Sequence, residues 1–504
     1  MFSYDNLSKI GIKVVRFFFI IFAALFAAGN LFTTVRVDNL ISNEANYEYG
    51  VSISVLLVFV ILVVLLVILI KNNYFNINEK VFLGIFLAMA LVVSVYWLVS
   101  NDYHLVNYDD AYNVYMSAVS LIKHDFSVVS RKTYINMYPN NLGLLTYDFI
   151  LIKLFGEIGS LYAFRIINIV FMLLGYFYLY RITDILFKNR VINCTLIYLL
   201  FFSGQFIFYT FFAYGNCLSY SLAIVSVFYL IKYIKQEKTR CLFLSVICII
   251  FSVAIKMNSV IVLIAELIYL FHHFFKDKKI IIIIAVLISL LGTYLGTTGI
   301  QNFWAKKGEI DYKDTKLPLV CWIAYGMNYD DSNPGHYFPE FEHYHWANEF
   351  DQEYTSTEAK RYINEATTFF TENPINGISY YFKKFIVSWA NPQFEAFDQY
   401  RDSELTTLNK DIIGGNINSC IEVTWDATLS IVAIGIIIFI FINKNERNII
   451  DYIGCVIVIG GFIFHAFWEV KAIYLFQYYM YLLPYSAYGL TTLLQKKINF
   501  KYTK

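Results

Sequence analysis

Of 504 residues, 58% are apolar or aromatic and only 15% are charged. That balance excludes an ordinary soluble chain, because it leaves more apolar surface than soluble cores of this size bury. The formal net charge is +1, with lysines and arginines gathered at the ends of apolar runs, so the sequence offers no basic patch for a nucleic-acid partner.

Lys9, Lys13 and Arg16 lead into an apolar run from Phe17 to Val35. It continues past the small residues at 27–29, which favours an uncleaved anchor over a signal peptide. Uncharged runs then predict an all-α polytopic membrane protein with about twelve transmembrane helices, at 14–35, 51–70, 81–99, 161–180, 191–209, 217–234, 241–255, 259–275, 280–299, 421–442, 449–468 and 472–492. The chain divides into an N-terminal pair of spans (1–80), a membrane core (81–299) with a first outer loop (100–160), an extracytoplasmic domain between late helices (300–420), and C-terminal spans with a cytoplasmic tail (421–504). Segment 142–155 is apolar but short. The basic residues Lys71, Lys80, Arg181, Lys188, Arg190, those at 232–240 and 276–279, Lys444, Arg447 and Lys496 all stay inside only if it does not cross. It is therefore expected as a helix on or dipping into the outer face, with both chain ends cytoplasmic.

Chemistry is expected in the two outer segments. Asp109 and Asp110 stand just before an amphipathic run, 112–122. One carboxylate can cap that helix while its neighbour, about 100° away, faces a cleft. Asp109, closer to the span end, is the favoured general base. In the second segment, 357–371 reads as a helix capped by Ser356 or Thr355 and ended by Pro374, followed by an amphipathic helix at 375–389. His343, His345, Asp330 and Asp331 are read as loop residues, since their spacing is weak for a metal; no metal and no other cofactor is expected. The aromatics from Trp304 to Trp346 fit a core and an interfacial belt. Cys321 and Cys420 are the two cysteines of seven that fall in this polar stretch, where a disulfide is an option.

Downstream of the acidic pair come Tyr138-Pro139-Asn140-Asn141-Leu142-Gly143, then Leu154-Phe155-Gly156 and Arg165. Near the far end stand His465, Trp468, Glu469, Lys471, Tyr474 and Pro484. This set resembles the GT-C glycosyltransferase superfamily, the type that includes protein O-mannosyltransferases and lipid A aminoarabinose transferases. It departs from that pattern in its two leading spans and in the single proline at 139. The resemblance implies a GT-C-like fold in a bacterial cytoplasmic membrane with the active site on the outer face. It also implies transfer of a sugar, with inversion, from a polyprenyl-phosphate carrier to an acceptor hydroxyl on an envelope polymer, lipid or protein. On this reading Asp109 or Asp110 is catalytic. Lys256, Arg165 and Lys471 are candidates for the lipid phosphate, with Tyr138, Asn140, Asn141, Glu469 and Tyr474 also facing substrate. The rival reading, a transporter or flippase of lipid-linked saccharides, calls for charges near the midplane and broken helices in paired halves. Glu266 is the clearest intramembrane charge here.

Overall fold

A computed structural model describes residues 4–37, 45–72, 74–76, 78–100, 109–329, 334–397, 400, 406–442 and 448–502. Asp330, Asp331, Lys444 and Arg447 lie outside them. The described residues are mostly helical. Nine helices among the described residues are long and apolar enough to cross a membrane, or ten if a bent pair counts as one span.

Against the expectation of about twelve, three of the expected runs stand outside the nine. The run at 191–209 is broken into Arg190–Phe202 and Gln205–Phe211, bent by 54°, with Gly204 opening the second piece. The run at 241–255 is the 17-residue helix Thr239–Ile255, shorter than the roughly 20 residues a span needs. The last run is part of the 31-residue helix Ala472–Tyr502, which contains Pro484. The first helix, Tyr4–Phe32, ends earlier than expected, where Thr33–Val37 pairs antiparallel with Ala45–Tyr49.

Segment 142–155 is a helix in its own right. Gly156, at φ +72°, breaks it from the helical stretch that runs on to Phe187, a conformation that costs glycine little. Its start is pinned by a close approach: a Cβ at Gly143 would lie 1.7 Å from the Ala254 carbonyl oxygen. This sets the end of Thr239–Ile255, and Lys256 after it, against residues 140–143.

Helices Asn216–Gln236 and Thr239–Ile255 meet through hydroxyls, Ser219 Oγ donating to the Ser252 carbonyl at 2.9 Å and Ser226 Oγ to that of Ser245 at 2.8 Å. Small polar residues let helices approach closely where apolar burial gives little drive. The polar segment has its own small core, including Leu317, Cys321, Tyr325, Phe341 and Ala359. There Gln352–Glu372 starts earlier than expected and is capped by Asp351, not Ser356 or Thr355. Pro374 occupies the first turn of Pro374–Trp389, where its missing N–H costs nothing. Cys321 is buried and Cys420 exposed, both free thiols.

Candidate active site

The acidic pair divides its work. Asp109 is the N-cap of Asp110–Ile122, its Oδ1 accepting the Tyr112 amide at 2.6 Å. Asp110 turns toward two phenols: Tyr134 donates to its Oδ1 at 2.8 Å and Tyr214 to its Oδ2 at 3.0 Å. Asn141 closes the circuit, donating to the Tyr134 oxygen at 2.8 Å and standing 3.4 Å from the Tyr214 hydroxyl through its own Oδ1. Burial, reinforced by Asp110, holds both phenols well above their usual pKa. They are therefore donors, and a carboxylate is an acceptor.

Each phenol is placed by a separate device. Tyr134 opens a one-turn helix capped by Thr133. Tyr214 follows a loop held by Asn168, whose Nδ2 donates to the carbonyls of Thr210 and Phe212, each at 3.1 Å. Arg165 braces the same loop, its guanidinium 4.4 Å from the Phe211 ring centroid.

Asp110 and Asp109 line a polar cavity of about 400 Å³, together with Tyr138, Asn140, Asn141, Glu342, Glu395, Glu469, Lys471 and Tyr474. Tyr138 donates to Glu342. Burial raises the Glu342 carboxyl, opposed by hydrogen bonds from Tyr138 and Tyr337. Burial also lifts Glu469 to about 6, against the pull of Lys471. The loop carrying Glu469 and Lys471 is fixed from the polar segment. Buried Lys384 donates to the carbonyls of Gly326 at 2.6 Å, Ala466 at 3.1 Å and Trp468 at 3.0 Å, and the Glu469 amide donates to Trp322 at 2.9 Å. All three protons of that ammonium are spent on holding backbone.

Behind this cavity lies an apolar one of about 370 Å³. The two share Asn140, Asn141, Tyr214, Trp322, Glu469 and Tyr474 as a common wall. Lys256 lines the apolar side, 8% exposed, with Nζ 3.6 Å from the Tyr214 ring centroid. It packs on the ring face instead of snorkelling to water. Burial drives its ammonium down to about 7, with Asp110 acting the other way.

Of the residues expected from sequence, Asp109, Asp110, Tyr138, Asn140, Asn141, Lys256, Glu469, Lys471 and Tyr474 converge here. Arg165 does not line either cavity. Lys123 pairs with Glu157 at 3.2 Å, Lys132 pairs with Glu349, and Arg131 donates to the Glu349 carbonyl at 2.8 Å. His345 is buried and bonded to Thr355 and to the Thr315 carbonyl, a core role. Among the described residues no cluster of His, Cys, Asp and Glu is arranged to hold a metal. Sequence reasoning missed Tyr134, Tyr214, Glu342 and Glu395. The spacing of Tyr134 and Tyr138, one helical turn apart, was the available signal for the first.

Residues 111–301 match the Alg9-like mannosyltransferase family, a glycosyltransferase family of the GT-C fold. The match starts at Ala111, just after the acidic pair, and takes in Tyr134, Asn141, Tyr214 and Lys256; Asp109, Asp110, Glu469, Lys471 and Tyr474 lie outside it. No curated protein matches the chain. The resemblance to GT-C enzymes thus holds for the membrane core. Its apolar helices make the chain a multi-pass membrane protein, and the glycosyltransferase family that residues 111–301 match implies lipid-linked sugar transfer.

Proposed function

We propose that the protein transfers a sugar from a polyprenyl-phosphate carrier to an acceptor hydroxyl at the outer face of a bacterial cytoplasmic membrane, with inversion and with Asp110 as general base. The observation that carries this reading is the position of Asp110, held in the polar cavity by Tyr134 and by Tyr214, the latter on the wall that this cavity shares with the apolar one. The polar side suits a hydroxylated acceptor, with Glu342, Glu395, Glu469 and aromatic rings for its hydroxyls. The apolar side suits the carrier's isoprenoid.

As the acceptor oxygen attacks the anomeric carbon, its proton passes to Asp110 and the bond to the carrier phosphate breaks on the opposite side of that carbon. Lys256 and Lys471 flank the wall, where a cation stabilises the departing phosphate. Arg165, braced on Phe211, is withdrawn from that role. Asp110 takes precedence over Asp109 because the latter's oxygen is committed to a helix cap.

Purified protein supplied with radiolabelled polyprenyl-phosphate sugars tests the proposal. Asp110→Asn is expected to reduce transfer about 10²-fold or more while donor binding persists, with Asp109→Asn much milder. Near-normal transfer by Asp110→Asn overturns the assignment.

A further inference from the structure

Helix Met257–Asp277 presents one face to both the apolar cavity beside Lys256 and a second cavity of about 700 Å³ farther along the bundle. Val260, Ile261 and Ile264 line the first; Ile264, Leu267, Ile268, Phe271 and Phe275 line the second. Ile264 belongs to both. The spacing of three and four residues keeps these side chains on one stripe. Helix Ile453–Phe467 repeats the arrangement, with Phe464 and His465 on the first cavity and Val456 and Ile459 on the second. The first helix closes the second cavity with Leu7, Val14, Val15 and Phe18.

From Met257 to Phe275 the stripe rises about 27 Å, close to the ~30 Å of a hydrocarbon core. Ile264, Ile268 and Phe271 are 51%, 52% and 56% exposed, so the stripe is open from Ile264 onward at these positions. Its polar end is the shared wall, with Lys256 on the apolar side and Asp110 beyond it in the polar cavity, which gives it a direction: a headgroup belongs at one end and hydrocarbon along the rest.

Building on the proposed donor, we propose that the two cavities form one track for the carrier's polyprenyl chain, and that the far cavity makes the enzyme select long isoprenoid chains over short ones. A geranyl chain ends in the first cavity. An undecaprenyl chain reaches the second and buries additional apolar surface there. Ordinary phospholipid chains lying in the second cavity would leave no dependence on the length of the donor.

The full-length protein in lipid nanodiscs is assayed for transfer from undecaprenyl- and geranyl-phosphate sugars. The longer donor is expected to show a kcat/KM at least about tenfold higher. Ile268→Trp, which obstructs the far cavity where it meets the first, brings the ratio close to one. Leu57→Trp, on the exposed face of Ile53–Lys71, keeps it, and thermal unfolding confirms that each variant is folded. Equal use of both donors, or a ratio that survives Ile268→Trp, overturns the track. Transfer from neither donor overturns the donor reading and the track with it.

Discussion

On the proposed function, Lys256 joins an electrostatic cost to a binding role. Burial lowers its pKa to about 7, so the free enzyme loses the ammonium as pH rises through neutrality, while an anionic donor favours it. Donor Kd is expected to rise as pH passes about 7, approaching tenfold per unit on the alkaline side. Because the charged form is disfavoured in the fold and fully present in the unfolded chain up to its ordinary pKa, this group costs stability below that value. Lys256→Met should thus raise or preserve the melting temperature while weakening donor binding and flattening its pH dependence; binding titrations across pH check this. Most of these residues were legible as charges and motifs at the rim of apolar runs. Tyr214 and Glu395 were not, because nothing local distinguishes a loop tyrosine that reaches a distant aspartate or a glutamate that accepts the distant Ala472 amide. Arg165 misled for the same reason: a cation at a span end reads alike whether it faces a cavity or stacks on Phe211.

At the scale of elements, periodicity and capping chemistry located the helices well, including Asp110–Ile122 and Pro374–Trp389. Junctions were harder. The cap of Gln352–Glu372 fell on Asp351, whose carboxylate accepts two amides, so the helix starts before Thr355 and Ser356, which lie within it. The close approach at Gly143 was invisible, since a glycine in a Leu-Gly-Leu run signals no partner. It yields a sharp expectation, however. Gly143→Val must displace the Ala254 backbone and with it Lys256, so donor affinity should fall at least about tenfold alongside a loss of thermal stability. Gly84→Val, where nothing lies within 4 Å, serves as the comparison. Donor titration and thermal unfolding of both variants check it.

Across the whole molecule, the membrane character was legible from composition, whereas the bend at Gly204 and the shortness of Thr239–Ile255 were not, because both depend on packing. Orientation is expected to follow the basic loops, with Leu142–Phe155 kept at the outer side and both chain ends cytoplasmic. Single cysteines at Asn189 and Asn445 should then resist impermeant thiol reagents added to intact cells, and efficient labelling of either inverts the map.

The shared wall of Asn140, Asn141, Tyr214, Trp322, Glu469 and Tyr474 also bears on how a catalytic cycle ends. On the proposed function, the glycosylated product departs toward water while the spent carrier departs sideways into lipid, so the two leave through separate exits. Product inhibition should be split accordingly: added polyprenyl phosphate competes with the donor but is noncompetitive against the acceptor. The enzyme can then stay responsive to acceptor supply even in a membrane crowded with discharged carrier.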